Sequence, residues 1–92
     1  MLEMTLVVHG LVQGVGYRYS VCREIDNQHL QLRGYITNLP NGTVKIVGQG
    51  DIEALKSLRK IALNGSDKSS VREIEEVLDN ISEFSFDSFE IR

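Results

Sequence analysis

Residues 10–18 combine a glycine-rich loop with an arginine, and their spacing could bind an anion. They read GLVQGVGYR, with glycines at positions 10, 14 and 16 and Arg18 two residues after the last glycine. A glycine-rich loop that runs into a helix directs several backbone N–H groups at one point, and the helix N-terminus adds about half a positive charge there. No Ser, Thr, Asp or Asn lies between Val12 and Gly16, so no obvious side chain caps these N–H groups.

Arg18 strengthens the interpretation of this loop as an anion site. A cation in the first turn of a helix interacts unfavourably with the helix dipole, by about 0.3–1 kcal/mol. A dianion bound there interacts favourably with both the cation and the dipole. A guanidinium can also grip two phosphate oxygens at once, with a geometry that an ammonium cannot match. The loop alone leaves an alternative open, in which it is only a glycine turn and Arg18 is solvated.

Asn38 is the second residue whose position suggests chemistry. The alternating pattern of residues 31–38 predicts a strand that carries Leu32, Ile36 and Asn38 on one face, with Asn38 at its end. The start of a helix that crosses the sheet could lie close to it. The sequence LPNG follows at 39–42, and the pattern alone favours a different role, in which Asn38 satisfies this turn.

Hydrophobic periodicity predicts the elements that would position these residues. Three strands are predicted at 4–9, 31–38 and 43–49, a helix from Tyr17 to about residues 27–29, a second helix from Asp51 to Asn64, and a closing strand within 84–92. Apolar residues at 71, 74, 77, 78 and 81 favour a helix, with a bulged strand as the competing interpretation. If this segment is a strand, the order is the split βαβ arrangement.

Length and composition limit the class of protein. The 92 residues predict a single domain over 1–92, and the net charge of −3 argues against nucleic acid or an anionic membrane as a partner. Cys22 is the only cysteine, which excludes an internal disulfide and suits a reducing compartment. No apolar run approaches the roughly 20 residues that span a bilayer. We expect a cytoplasmic monomer without a metal site or a cofactor.

Two motifs resemble the signatures of the acylphosphatase family. Residues 10–18 are similar to its first signature, G-x-V-Q-G-V-G-[FY]-R. Residues 34–44, GYITNLPNGTV, are similar to its second, G-[aromatic]-[VI]-x-N-x-x-[DN]-G-x-V. The resemblance extends over essentially the whole chain.

The resemblance implies both a fold and a site. The fold would be α+β, a ferredoxin-like βαββαβ sandwich with a four-stranded antiparallel sheet and two helices on one face, so that 71–81 would be a strand. Arg18 and Asn38 would be the catalytic residues. The phosphate-binding loop would consist of Gln13, Gly14, Val15, Gly16 and Tyr17.

The implied reaction is hydrolysis of an acyl phosphate to a carboxylate and inorganic phosphate. The conjugate acid of the leaving carboxylate has a pKa of about 4–5, so no general acid is needed. The remaining work is to neutralise charge on the phosphoryl group and to align a water. Because an amide takes no proton near pH 7, Asn38 would orient the water rather than act as a base.

Two other functions compete with hydrolysis. The first is a non-catalytic module that binds phosphate or acyl phosphates. The second is RNA binding, because RNA-recognition domains share the split βαβ topology, but they need exposed aromatic residues on the central strands. Tyr35 is the only aromatic residue in the predicted second and third strands. His9 is predicted to lie on the face opposite the core and Cys22 to pack in the core, so neither is expected to react.

Overall fold

The alternating residues near the N-terminus form the first strand, β1 (Leu2–Leu11), in a computed structural model that describes residues 1–92. Met4, Leu6 and Val8 on this strand are almost fully buried under the helices. The elements that follow are α1 (Tyr17–Asn27), β2 (Arg33–Asn38), β3 (Val44–Gly50), α2 (Ile52–Asn64), β4 (Ser70–Asn80) and β5 (Phe89–Ile91). Both predicted helices and the predicted β2–β3 hairpin are present.

The sheet has five strands in the order β4-β1-β3-β2-β5, so the predicted four-stranded antiparallel sheet is wrong. The strands β4, β1, β3 and β2 are antiparallel neighbours, whereas β5 runs parallel to β2, with Gly34 opposite Phe89 and Ile36 opposite Ile91. The reason is that β4 occupies the edge beside β1. The closing segment crosses to the other edge, where it adds a strand in the same direction as β2.

A β-bulge explains why the pattern of residues 71–81 imitates a helix. His9 pairs with Glu73 while Gly10 pairs with Val71, so Arg72 is an extra residue on β4. The bulge shifts the alternation by one, which leaves the half-buried Val71 and Ile74 three positions apart, a spacing typical of a helix. The helical interpretation was therefore wrong, and the bulged strand is confirmed.

One core joins both helices to one face of the sheet. Tyr17, Val21 and Ile25 of α1 are buried in it together with Leu55 and Leu58 of α2 and the inward residues of β1, β2 and β3. Neither helix has the length and apolar character needed to cross a membrane. The register places the ends of β1, β2 and β5 and the beginnings of β3, β4 and α1 at one end of the sheet. This end carries the candidate site.

Candidate active site

The N-terminus of α1 is open. Gly16 precedes the helix in the left-handed conformation, with φ 75° and ψ 18°, and no side chain caps the helix. The first helical hydrogen bond runs from Ser20 N–H to the Gly16 carbonyl at 3.0 Å, and the first turn contains no acidic residue. The N–H groups at the start of the helix therefore have no side-chain cap, and no carboxylate within the first turn offsets the dipole.

Side chains hold the glycine-rich loop from two sides. The Gln13 side-chain amide donates to the carbonyls of Leu39 and Thr43, at 2.8 and 2.9 Å. The Ser66 hydroxyl donates to the Val15 carbonyl at 2.8 Å. Because the Gln13 side chain is bound to the hairpin turn, Gln13 can offer a ligand only its backbone. The sequence did not predict that Ser66 holds the loop, because nothing in the residues around it indicates a contact with Val15.

Tyr17 and Ser20 fix the beginning of α1 against the end of α2. The buried Tyr17 hydroxyl donates to the Ala62 carbonyl at 2.7 Å, and burial raises the pKa of Tyr17 well above its usual value. The Ser20 hydroxyl donates to the Gly65 carbonyl at 3.0 Å. Tyr17 therefore positions the loop through its ring and leaves only its backbone N–H for a ligand.

Arg18 lies beside the edge of the sheet where β5 ends. Its Nη1 donates to the main-chain oxygen of Arg92 at 2.8 Å, and the Arg92 N–H donates to the Ile36 carbonyl on β2, also at 2.8 Å. No Asp or Glu side chain lies within ion-pair distance of Arg18. The guanidinium thus has one main-chain acceptor and no side-chain counter-ion. The sequence also did not predict the hydrogen bond between Arg18 and Arg92.

Asn38 carries the only buried side-chain nitrogen or oxygen atom without a hydrogen-bond partner in the protein, its Oδ1. The following turn is satisfied by Asn41, whose Oδ1 accepts from the Thr43 N–H at 3.2 Å and from the Thr43 hydroxyl at 2.6 Å. The interpretation of Asn38 as the residue that stabilises this turn is therefore wrong for its Oδ1. No group of the protein occupies this acceptor, so it is available to a donor from outside the chain.

The structure gathers the predicted site residues at one end of the sheet. Asn38 ends β2 opposite Val44, and Val44 also pairs with Val8, just before the glycine-rich loop. The bond from Gln13 to Leu39 joins this loop to the residue after Asn38. Arg18 reaches the same region through the end of β5.

Neither His9 nor Cys22 belongs to this arrangement. His9 lies on the face away from the helices, with its Nε2 2.7 Å from Oε2 of Glu75 on β4. Cys22 packs against the core, and burial first, with Asp26 second, raises the pKa of its thiol to about 11 despite the opposing effect of Arg18. The thiol is therefore protonated at neutral pH and is a poor nucleophile. No three His, Cys, Asp or Glu side chains are grouped so that they could hold a metal ion.

Comparison with known proteins agrees with the fold and the two motifs. The model of the acylphosphatase family matches residues 4–91. An acylphosphatase from Bacillus subtilis is 40% identical over 80% of this chain and 79% of its own length. One from Helicobacter hepaticus is 39% identical over 92% of this chain and 91% of its own length.

Solved structures agree with the sequence relatives. The crystal structure of acylphosphatase from Bacillus subtilis matches with a TM-score of 0.89 at 36% identity, covering 100% of this chain and 99% of that one. An acylphosphatase from Coxiella burnetii matches with a TM-score of 0.81 at 28% identity, covering 98% and 90%. The chain belongs to the acylphosphatase family, and the predicted class of enzyme, a hydrolase of this family, is confirmed.

Proposed function

We propose that this chain hydrolyses the carboxyl–phosphate anhydride bond of acyl phosphates, that Arg18 and the loop of residues 13–17 bind the phosphoryl group, and that Asn38 orients the attacking water. The observation that carries the proposal is the open N-terminus of α1. It combines an uncapped left-handed Gly16 with the guanidinium of Arg18, which no Asp or Glu side chain pairs. Neither feature stabilises the helix by itself, and both favour a bound anion.

The phosphoryl group would meet donors that are already in place. Gln13 and Ser66 hold the loop before any ligand arrives, so its backbone N–H groups need little rearrangement when charge develops in the transition state. The guanidinium of Arg18 has five N–H donors and uses one of them for the Arg92 main-chain oxygen. The remaining donors can bind two phosphoryl oxygens at once and neutralise their charge.

Asn38 would place the nucleophile. Its unpartnered Oδ1 accepts a hydrogen bond from a water, which directs the water oxygen at phosphorus in line with the leaving group. The new P–O bond forms as the bond between phosphorus and the acyl oxygen breaks. The carboxylate leaves with that bond's electron pair, and a phosphoryl oxygen takes the proton of the water. No side chain acts as a general acid or base.

The same account favours a protein that works alone in the cytoplasm, without metal or cofactor. Backbone N–H groups and Arg18 supply the positive charge that neutralises the phosphoryl oxygens, so the proposed reaction does not require a metal ion. The single cysteine suits a reducing compartment, and nothing in the site requires a second chain. The acidic balance disfavours nucleic acid and anionic membranes. RNA binding is disfavoured further because Arg92 covers the ring of Tyr35, at 4.3 Å from its centroid.

The test of this function is hydrolysis of benzoyl phosphate and acetyl phosphate by the purified chain in excess chelator. We expect rapid turnover that chelation leaves unchanged and that inorganic phosphate, as the product, inhibits. No turnover by the folded chain would contradict hydrolysis. Turnover that chelator abolishes and Mg²⁺ restores would contradict the metal-free mechanism.

A further inference from the structure

A groove of about 500 Å³ opens beside the glycine-rich loop. Residues 14–16 form one wall, and residues 66–68, in the connection between α2 and β4, form another. Tyr19 and Arg23, about one helical turn apart on α1, also line it. A side-chain carbon added at either glycine of residues 14–16 would meet no atom within 4 Å, so the space beside the loop is open. This space is called the α1 groove below.

The chemistry of the proposed reaction sets the direction in which the acyl group leaves. Displacement at phosphorus is in line, so the leaving group departs on the side opposite the attacking water. The Gln13 side chain is bonded to the turn of the β2–β3 hairpin, and the Val15 carbonyl accepts from Ser66 in the wall of the α1 groove. The loop therefore lies between the hairpin and the groove. Asn38, at the end of β2, is on the hairpin side, so a water that it orients drives the acyl group toward the α1 groove.

The charged side chains around the α1 groove are mainly basic, although the whole chain is acidic. Arg23 and Lys68 contribute two positive charges and Asp67 one negative charge, whereas the net charge of the chain is −3. Arg23 and Lys68 are both exposed, and neither has an Asp or Glu side chain within ion-pair distance. Both cations can therefore interact with an anionic group of a bound molecule.

We propose that the α1 groove binds the acyl part of the substrate and that Arg23 and Lys68 select acyl groups that carry a carboxylate. The inference rests on the proposed function, which sets the direction of the acyl group. An additional negative charge on the substrate is repelled by the net charge of the chain, and the two cations offset this repulsion locally. Asp67 opposes them and limits the selectivity.

The test compares two substrates of similar size, 4-carboxybenzoyl phosphate and 4-methylbenzoyl phosphate. Neither substituent withdraws electrons strongly, so the ratio of their kcat/KM values reports the additional charge. We expect the unsubstituted chain to favour the carboxylate substrate. Arg23→Ala and Lys68→Ala should each lower the ratio about two- to fivefold, the effect of one exposed ion pair. Because both substrates share the phosphoryl group, a variant that only weakened phosphate binding or the fold would leave the ratio unchanged.

Two matched variants test whether the position of the charge matters. Lys60→Ala removes a positive charge from an exposed position on α2 outside the α1 groove and should leave the ratio unchanged. Asp67→Asn removes the negative charge of the groove and should raise the ratio about twofold. An unchanged ratio in a variant with both Arg23→Ala and Lys68→Ala would overturn the inference. An equal loss in Lys60→Ala would overturn it as well.

Failure of the proposed function would be visible separately, as absence of turnover of both substrates by the folded chain. The α1 groove can then be tested by calorimetric titration with the two corresponding phosphonates, in which a CH₂ group replaces the bridging oxygen. Tighter binding of the carboxylate phosphonate, lost when Arg23 and Lys68 are both replaced by Ala, would support the inference. Equal binding of the two phosphonates, or binding of neither, would overturn it.

Discussion

The two helices begin in opposite ways. At α2, the Asp51 side chain accepts a hydrogen bond from the Ala54 N–H at 2.9 Å, and Glu53 places a negative charge in the first turn. At α1, Gly16 provides no cap, the first turn contains no acidic residue, and Arg18 adds a positive charge. The N-terminus of α2 has a side-chain acceptor for an N–H group and a negative charge that interacts favourably with the helix dipole. The N-terminus of α1 has neither.

The comparison of the two N-termini indicates that the start of α1 is less stable by itself than it could be and is open to a ligand instead. An N-cap contributes about 1 kcal/mol and a favourable first-turn charge about 0.3–1 kcal/mol. α1 lacks both contributions, although the same chain provides them at α2. Tertiary contacts compensate, because Tyr17, Ser20 and Ser66 fasten the beginning of α1 to the region where α2 ends. The open terminus is thereby kept rigid and available to an anion.

Removing the positive charge from the open terminus should have the largest effect. Arg18→Ala should lower kcat/KM for benzoyl phosphate by at least about 10²–10³-fold, because a preorganised donor of the transition state is lost. Inhibition by inorganic phosphate should weaken with it. Lys60→Ala removes one positive charge from an exposed position on α2 and serves as the control. Equal losses in the two variants would show that only overall charge matters.

Changing Asn38 should separate catalysis from binding. Asn38→Ala removes the proposed water-orienting amide, so kcat should fall roughly 10²-fold while the inhibition constant of phosphate stays near that of the unsubstituted chain. Asn41→Ala is the control, because this amide serves the turn and should affect stability alone. If Asn38→Ala weakened phosphate binding as severely as Arg18→Ala, its role would be binding rather than orientation of water.

The capped helix should respond in stability and not in activity. Asp51→Ala removes the bond to the Ala54 N–H and should lower the free energy of unfolding by about 1 kcal/mol. Because α2 begins at the end of the sheet away from the site, kcat/KM should be unchanged. Urea unfolding and the hydrolysis assay on the same preparation check both parts. A loss of activity without a loss of stability would contradict the division of roles between the two termini.

The smallest effect should come from Cys22, one turn beyond Arg18 in α1. Burial raises the pKa of its thiol from an ordinary value of 9.0 to about 11. The folded chain therefore holds this proton more tightly than the unfolded chain. Its contribution to stability is complete below pH 9 and is lost as the pH rises through about 11. Cys22→Ala should reduce the fall in unfolding free energy over that range, and an identical fall in the variant would contradict the assignment.

Local sequence predicted the parts of the molecule that depend on local rules. The helical spacing in α1 and α2 and the Asn-Gly turn between β2 and β3 were sufficient to locate those elements. The helical prediction for the segment that forms β4 failed for two reasons. The bulge at Arg72 leaves Val71 and Ile74 three positions apart, and Val77 and Leu78 are exposed apolar residues on a strand rather than core residues of a helix. The direction of β5 could not be read from its alternation, because pairing with β2 is a long-range choice.

The candidate site divides in the same way. The glycine-rich loop and Arg18 are recognisable from adjacent residues. Their supports are remote in sequence, since Ser66 lies 51 positions from Val15 and Arg92 lies 74 positions from Arg18. For Asn38, the pattern favoured a role in the turn. Only the structure shows that Asn41 accepts the hydrogen bonds of this turn and that Oδ1 of Asn38 takes no part in it.

The most direct test of the central claim is to titrate inorganic phosphate into the ¹⁵N-labelled chain and follow its backbone amides by NMR. The account predicts saturable shifts of the amides at residues 14–18, little change at residues 52–54 in the first turn of α2, and loss of the response in Arg18→Ala. Equal shifts at both helix termini, or none at α1, would contradict the claim that the open N-terminus of α1 binds the phosphoryl group.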